Sequence, residues 1–212
     1  ERYVRRYSRI MMDPVETERR VRTGGRLAIP TDDGLLELRV ARHDLRGAGF
    51  RAEEDTGNGE KRVVQIPEPH TYRGTVQGSP GTEVRFTVRP DSLEGIIVTP
   101  GEWYLVEPMS HYDPGAGPSD LAVYRASDIR PEAIGTCGAT LTDRITEAAA
   151  MVVAPVVAPV MQASTVSVAD VATEADYEFV TAMGDSVKAN TAILEILNQV
   201  DGTYLHDMLQ WA

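Results

Sequence analysis

Short runs of alternating apolar and polar residues, each ended by a glycine, proline or aspartate turn, fill residues 27–126 and leave few choices of fold. A strand turns successive side chains to opposite faces, so a period of two buries one face and wets the other. Within 35–43, Leu36, Leu38 and Val40 share one face and Glu37, Arg39 and Ala41 the other. Within 83–89, Val84, Phe86 and Val88 alternate with Glu83, Arg85, Thr87 and Arg89, which predicts a sheet with that second set in water. Further strands are expected at 62–66, 72–77, 95–99, 103–107 and 121–124. The stretches Asp32-Asp33-Gly34, Gly78-Ser79-Pro80-Gly81, Arg89-Pro90-Asp91 and Thr99-Pro100-Gly101 supply the turns between them. Strands that recur about every ten residues with turns of this kind predict a small β sandwich or barrel.

The flanks read differently. Residues 1–26 are Arg-rich, interleaved with Asp13, Glu16 and Glu18, and read as a solvated or processing N-terminal segment. The β-rich domain then occupies 27–127. From 128 to 165 the composition shifts to Ala, Val, Thr and Pro, the mark of a linker, with one short helix expected near 143–149. Residues 166–175 read as a buried strand, although Thr173-Glu174-Ala175-Asp176 also resembles a helix capping box. A helix is predicted over 185–209, capped by Asp185 or Ser186, where Val187, Ile193, Leu194, Leu197, Val200, Tyr204 and Met208 recur at three- and four-residue spacing. Gly202 within it costs roughly 1 kcal/mol relative to alanine and suggests a bend or an early end. One strand and one amphipathic helix cannot bury their apolar faces alone, so 166–212 reads as the beginning of a second domain.

Charge and composition exclude several classes of function. With charged residues at 25% and a net charge of −11, the chain repels nucleic acid and anionic lipid, which are bound by clustered Lys and Arg. The longest apolar run, 148–163, contains Pro155 and Pro159 and falls short of the roughly 20 residues that span a bilayer. His43, His70, His111 and His206 are scattered, with no His-Glu-x-x-His pair to set two imidazoles on one helical face. No Gly-x-Ser-x-Gly, P-loop or Gly-x-Gly-x-x-Gly element is present. The pairs Glu53-Glu54 and Asp32-Asp33 read as solvated loop charge, and Tyr72, Trp103 and Tyr104 as core. A single cysteine, Cys137, excludes an intramolecular disulfide.

One string has a wider likeness. Tyr72-Arg73-Gly74-Thr75-Val76-Gln77-Gly78, Val84, Leu93-Glu94-Gly95-Ile96-Ile97, Glu102-Trp103-Tyr104-Leu105-Val106-Glu107-Pro108 and Val123-Tyr124-Arg125 resemble, in order and spacing, the conserved string of adamalysin/reprolysin pro-domains. The histidine that precedes Tyr-Arg in that family is replaced here by the neighbourhood of Asp120 and Leu121. Gly135-Thr136-Cys137-Gly138-Ala139 resembles the Cys-Gly switch of metzincin zymogens, without the basic residue that usually comes just before the cysteine. Val171–Tyr177 resembles the first strand of the catalytic domain in that family, and 190–204, ending in Asn198-Gln199-Val200-Asp201-Gly202-Thr203-Tyr204, its first helix.

The resemblance implies a mainly β pro-domain, a linker at 128–165 and the first strand and helix of an α/β metzincin catalytic domain at 166–212. It implies export to a secreted, extracellular or periplasmic location and a zinc endopeptidase acting on protein or peptide substrates. This segment carries none of the zinc-binding histidine motif and is expected to be inactive by itself. Cys137 is then the inhibitory zinc ligand of the zymogen: a thiolate binds zinc at about 2.3 Å and takes the place that a catalytic site keeps for water. The pro-region would assist folding of its own catalytic domain, keep it latent, and be released by a cut near Arg144 or within 148–163. The alternative is a non-catalytic extracellular β-sandwich module that binds a protein or glycan. A thiol redox sensor fits less well, because no second cysteine is present to resolve a sulfenic acid.

Overall fold

The computed structural model describes residues 3–130 and 170–210. Of the linker expected at 128–165, residues 128–130 pack against the N-terminal segment; the rest of it, with the helix near 143–149, the activation cut and Cys137, lies outside the described residues.

The alternating runs form one antiparallel sheet of eight strands: β1 (Ser8–Met11), β2 (Arg26–Thr31), β3 (Gly34–Arg42), β6 (Thr71–Val76), β7 (Glu83–Arg89), β8 (Ser92–Val98), β9 (Trp103–Pro108) and β10 (Asp120–Arg125). Two more strands, β4 (Ala52–Asp55) and β5 (Lys61–Val64), make a separate hairpin between β3 and β6. The sheet order is β1-β10-β9-β8-β7-β6-β3-β2, a meander to which the N-terminal strand is added beside the last. Strands β1 and β2 stand at opposite ends of that order, yet only helix α1 (Pro14–Gly24) lies between them in sequence. Eleven helical residues reach about 16 Å. The sheet must therefore curl until its ends are neighbours, and it forms a nearly closed barrel.

The register places the inward set of every strand in one core. Val84 faces Gly74 and Ile97, Phe86 faces Tyr72 and Gly95, and Val106 faces Gly95 and Val123. Ile29, Val84, Phe86, Val88, Leu93 and Val106 lose all contact with solvent. Each such side chain contributes about 1.5–3 kcal/mol by leaving water. The residues of the resemblance string are the same residues: Tyr72, Val76, Leu93, Ile97, Tyr104 and Val123 are buried in this core. A second, smaller cluster of Val4, Met109, Ala122 and Tyr124 covers the outer face of β10.

The N-terminal segment is part of the barrel rather than a solvated stretch. Ile10 of β1 pairs with Leu121 of β10 and packs on the core. Asp13 caps α1 by accepting from the backbone N–H of Val15 at 2.9 Å, Pro14 follows, and Gly25 closes the helix in the left-handed region at φ 60°. Val21 points from this helix into the core.

The C-terminal expectations divide. The helix forms as α3 (Ser186–Gln210), with the Asp185 carboxylate accepting from the Lys188 N–H at 2.8 Å, and Gly202 does not end it. The strand expected at 166–175 is not formed over the described part, 170–175. Asp176 instead caps a short helix, α2 (Tyr177–Met183), by accepting from the N–H of Phe179 at 2.8 Å. That carboxylate satisfies a donor a helix start leaves orphaned, and no neighbouring strand pairs the backbone before it.

Candidate functional site

The outward residues of β7 are expected to be wet, and they are not. Every residue of 83–88 is buried, because α3 lies across the outer face of β6, β7 and β8. A polar strand face can be covered only by groups that replace the water it loses. The helix supplies them from one side, where Glu195, Asn198 and Asp201 follow at three-residue spacing with Gly202 beside them.

Three contacts make a clamp. Arg85, fully buried, donates to Asp201 at 2.7 Å and to the Val84 carbonyl at 3.1 Å, and pairs with Glu83 on its own strand. Burial lowers the Arg85 guanidinium from its ordinary value, and the Asp201 hydrogen bond opposes that shift. Arg89 donates to both carboxylate oxygens of Glu195, at 2.9 and 3.2 Å. Burial, opposed by Arg89 and aided by the carboxylates of Glu94 and Asp91, holds Glu195 up at about 7. Asn198, fully buried, donates through Nδ2 to the carbonyls of Tyr72 and Phe86 at 3.4 Å each. With Nδ2 donating, its Oδ1 accepts, which puts the proton of the 2.9 Å His43 contact on Nδ1.

Gly202 sits where the helix touches the guanidinium stem: a β-carbon there would lie 2.5 Å from Arg85 Cγ. The glycine is needed for this close approach. The apolar ridge of the helix, by contrast, is turned partly to solvent. Ile196, Val200 and Tyr204 are exposed, Tyr204 by 67%, and Ile193, Leu194 and Leu197 are only half-buried. The helix therefore meets the barrel with its polar side, which adjoins the apolar ridge at Leu194 and Leu197.

A second polar group closes the barrel seam. The pair Asp32-Asp33, expected as solvated charge, lies in the β2–β3 turn, where Asp32 accepts from Ser8 of β1 and Asp33 pairs with Arg125 of β10. Tyr104 also donates to Asp33 at 2.5 Å, and burial with that bond raises its hydroxyl to about 12. Glu53 and Glu54 are in β4, paired with Arg51 and Arg62. A cleft of about 230 Å³ beside Tyr7, Arg9, Tyr112 and Tyr124 holds polar groups already engaged with one another, Arg9 with Asp120 and Tyr112 with Glu107.

The histidines remain dispersed: His43 in the clamp, His70 3.2 Å from Glu18, His111 in a 3-10 turn and His206 within α3. Among the described residues no three His, Cys, Asp or Glu side chains converge as a metal-ligand set, and no helix is long and apolar enough to cross a membrane. Apart from His43, the clamp residues are not among the chemistry-bearing candidates of the sequence. The signal that could have found them is three polar residues at three-residue spacing and a glycine on one side of the helix. No protein-family description matches this chain, and no curated protein matches it.

Proposed function

We propose that this chain is the pro-region, with the start of the catalytic domain, of a secreted zinc metalloendopeptidase of the adamalysin/reprolysin type, which the barrel helps to fold and keeps latent. The observation that carries the reading is the clamp: α3, the helix that resembles the first catalytic helix, is held on the barrel wall through Arg85, Arg89 and the buried Asn198. A pro-region must recognise its own catalytic domain, and here 116 residues separate the partners Arg85 and Asp201. The grip also suits assisted folding. An isolated helix is marginal in water, and one docked on a preformed barrel is ordered before the rest of its domain assembles.

Latency on this reading belongs to Cys137. On the resemblance, Cys137 would supply one thiolate to zinc held by histidines of the catalytic domain. Its partners are the catalytic domain in cis and, after release, protein or peptide substrates of the mature enzyme. Export would leave Cys137 unpaired outside the cell, where bound zinc would protect it.

The test is peptidase activity of the full precursor, wild type and Cys137→Ala, before and after limited proteolysis, with zinc content measured in each. Wild type is expected to be latent until cut and Cys137→Ala active uncut. Identical latency with equal zinc would remove Cys137 as the lock, and a precursor that holds no zinc would end the protease reading.

A further inference from the structure

We propose that the outer face of β6–β8 is a helix-reading surface, with Arg85 as its specificity-determining residue, whose ligand is the polar side of α3 written as Glu195, Asn198, Asp201 and Gly202. The assignment of that ligand to a catalytic domain rests on the reading above; the surface itself does not. Each position is read by a different contact. Arg89 takes the Glu195 carboxylate, the Tyr72 and Phe86 carbonyls with His43 take both ends of the Asn198 amide, and Arg85 takes Asp201. Arg85 also measures the next position, because its Cγ stands where any β-carbon on residue 202 would be.

Such a surface discriminates by what it leaves unpaired. A helix lacking Asp201 would bury Arg85 with Glu83 as its remaining carboxylate, and one lacking Asn198 would leave His43 and the second lone pairs of two ladder carbonyls without their partner. The outer part of the apolar ridge plays no part in the reading, since Val200 and Tyr204 are exposed. That ridge is left for the core of the domain to which the helix belongs, so the barrel can hold the helix without competing for the face that domain needs.

The experiment uses the full 212-residue chain and a labelled peptide of residues 183–210. In the Asn198→Ala/Gly202→Ala chain the tethered helix loses its grip, α3 amides lose hydrogen-exchange protection, and the vacated face binds the natural peptide. The wild-type chain, with its face occupied, binds that peptide at least about tenfold more weakly, ~1.4 kcal/mol. A peptide carrying Asp201→Asn and Gly202→Ala is expected to lose at least that factor on the vacated face, a comparison that leaves the barrel untouched. Three results would each overturn the proposal: α3 still protected in the double variant, the altered peptide binding as tightly as the natural one, or a peptide with the same apolar ridge and a shuffled polar side binding equally. None of these readings involves peptidase activity, so the surface and the protease assignment fail separately.

Discussion

Glu195 is the residue on which the helix grip depends most on pH. Its carboxylate is buried against Arg89, with Asp91 and Glu94 adding repulsion, and its proton is held up to about 7. In an undocked helix the same group faces water and titrates in the ordinary carboxylate range. A carboxylate whose value is raised on docking binds its proton more tightly in the docked state, so docking takes up a proton. That contribution is present in full below the ordinary carboxylate range and is lost as pH rises through about 7. The natural 183–210 peptide should therefore bind the vacated barrel face more tightly at pH 6 than at pH 8. Glu195→Gln, which carries no charge at either pH, should flatten the difference while keeping an acceptor for Arg89. Equal affinities for the natural peptide at the two pH values, or the same slope in the glutamine peptide, would show that Glu195 stays ionised on the barrel.

At the scale of elements, the sequence was most legible where one period governs. The 83–89 run forms β7 with the bounds its alternation predicts, and every strand expected between 35 and 124 forms within three residues of its place. The inward residues were legible too, since Val84, Phe86 and Val88 have no other side to take. What alternation could not say is what covers the outward face. Glu83, Arg85, Thr87 and Arg89 read as wet because polar side chains are usually solvated, and only a helix with matching polar groups, distant in sequence, makes their burial affordable. For the same reason α3 was legible as a helix while its buried side was not: apolar periodicity points at the ridge, and the barrel takes the polar side that adjoins it. The N-terminal elements were missed because arginines dominate 1–26, although Asp13-Pro14 is a cap followed by the residue suited to a first helical turn. Their placement carries a prediction. Deleting residues 1–12 removes β1, exposes the edge of β10 and uncovers Leu121 and Val123, so the shortened chain should melt well below the full one and aggregate through the bared edge. An unchanged melting temperature would mean that β1 is an accessory to the barrel.

Taken as a whole, the molecule joins two stretches of chain through charges that neither can bury alone. Without α3, Arg85 and Arg89 would lie on a wet sheet face, as their alternation suggests; without the barrel, α3 would be a lone helix with a polar and an apolar side. Docking buries Arg85 completely, and its partners then come from both bodies, Glu83 from the barrel and Asp201 from the helix. Removing one partner of a buried charge costs more than the pair contributes, because the charge left behind keeps its desolvation penalty. Asp201 is half-exposed, so water relieves part of that penalty, and Asp201→Ala is expected to cost about 1–3 kcal/mol. The consequence reaches beyond the helix. If barrel and helix form one cooperative unit, Asp201→Ala should weaken hydrogen-exchange protection in β6, β7 and β8 together with α3, although the substituted residue belongs to no strand. Amides of β10, which α3 does not cover, should change less. Protection lost from α3 alone, with β7 unchanged, would mean that the barrel is complete before the helix arrives and that the clamp contributes recognition without stabilising the wall it rests on.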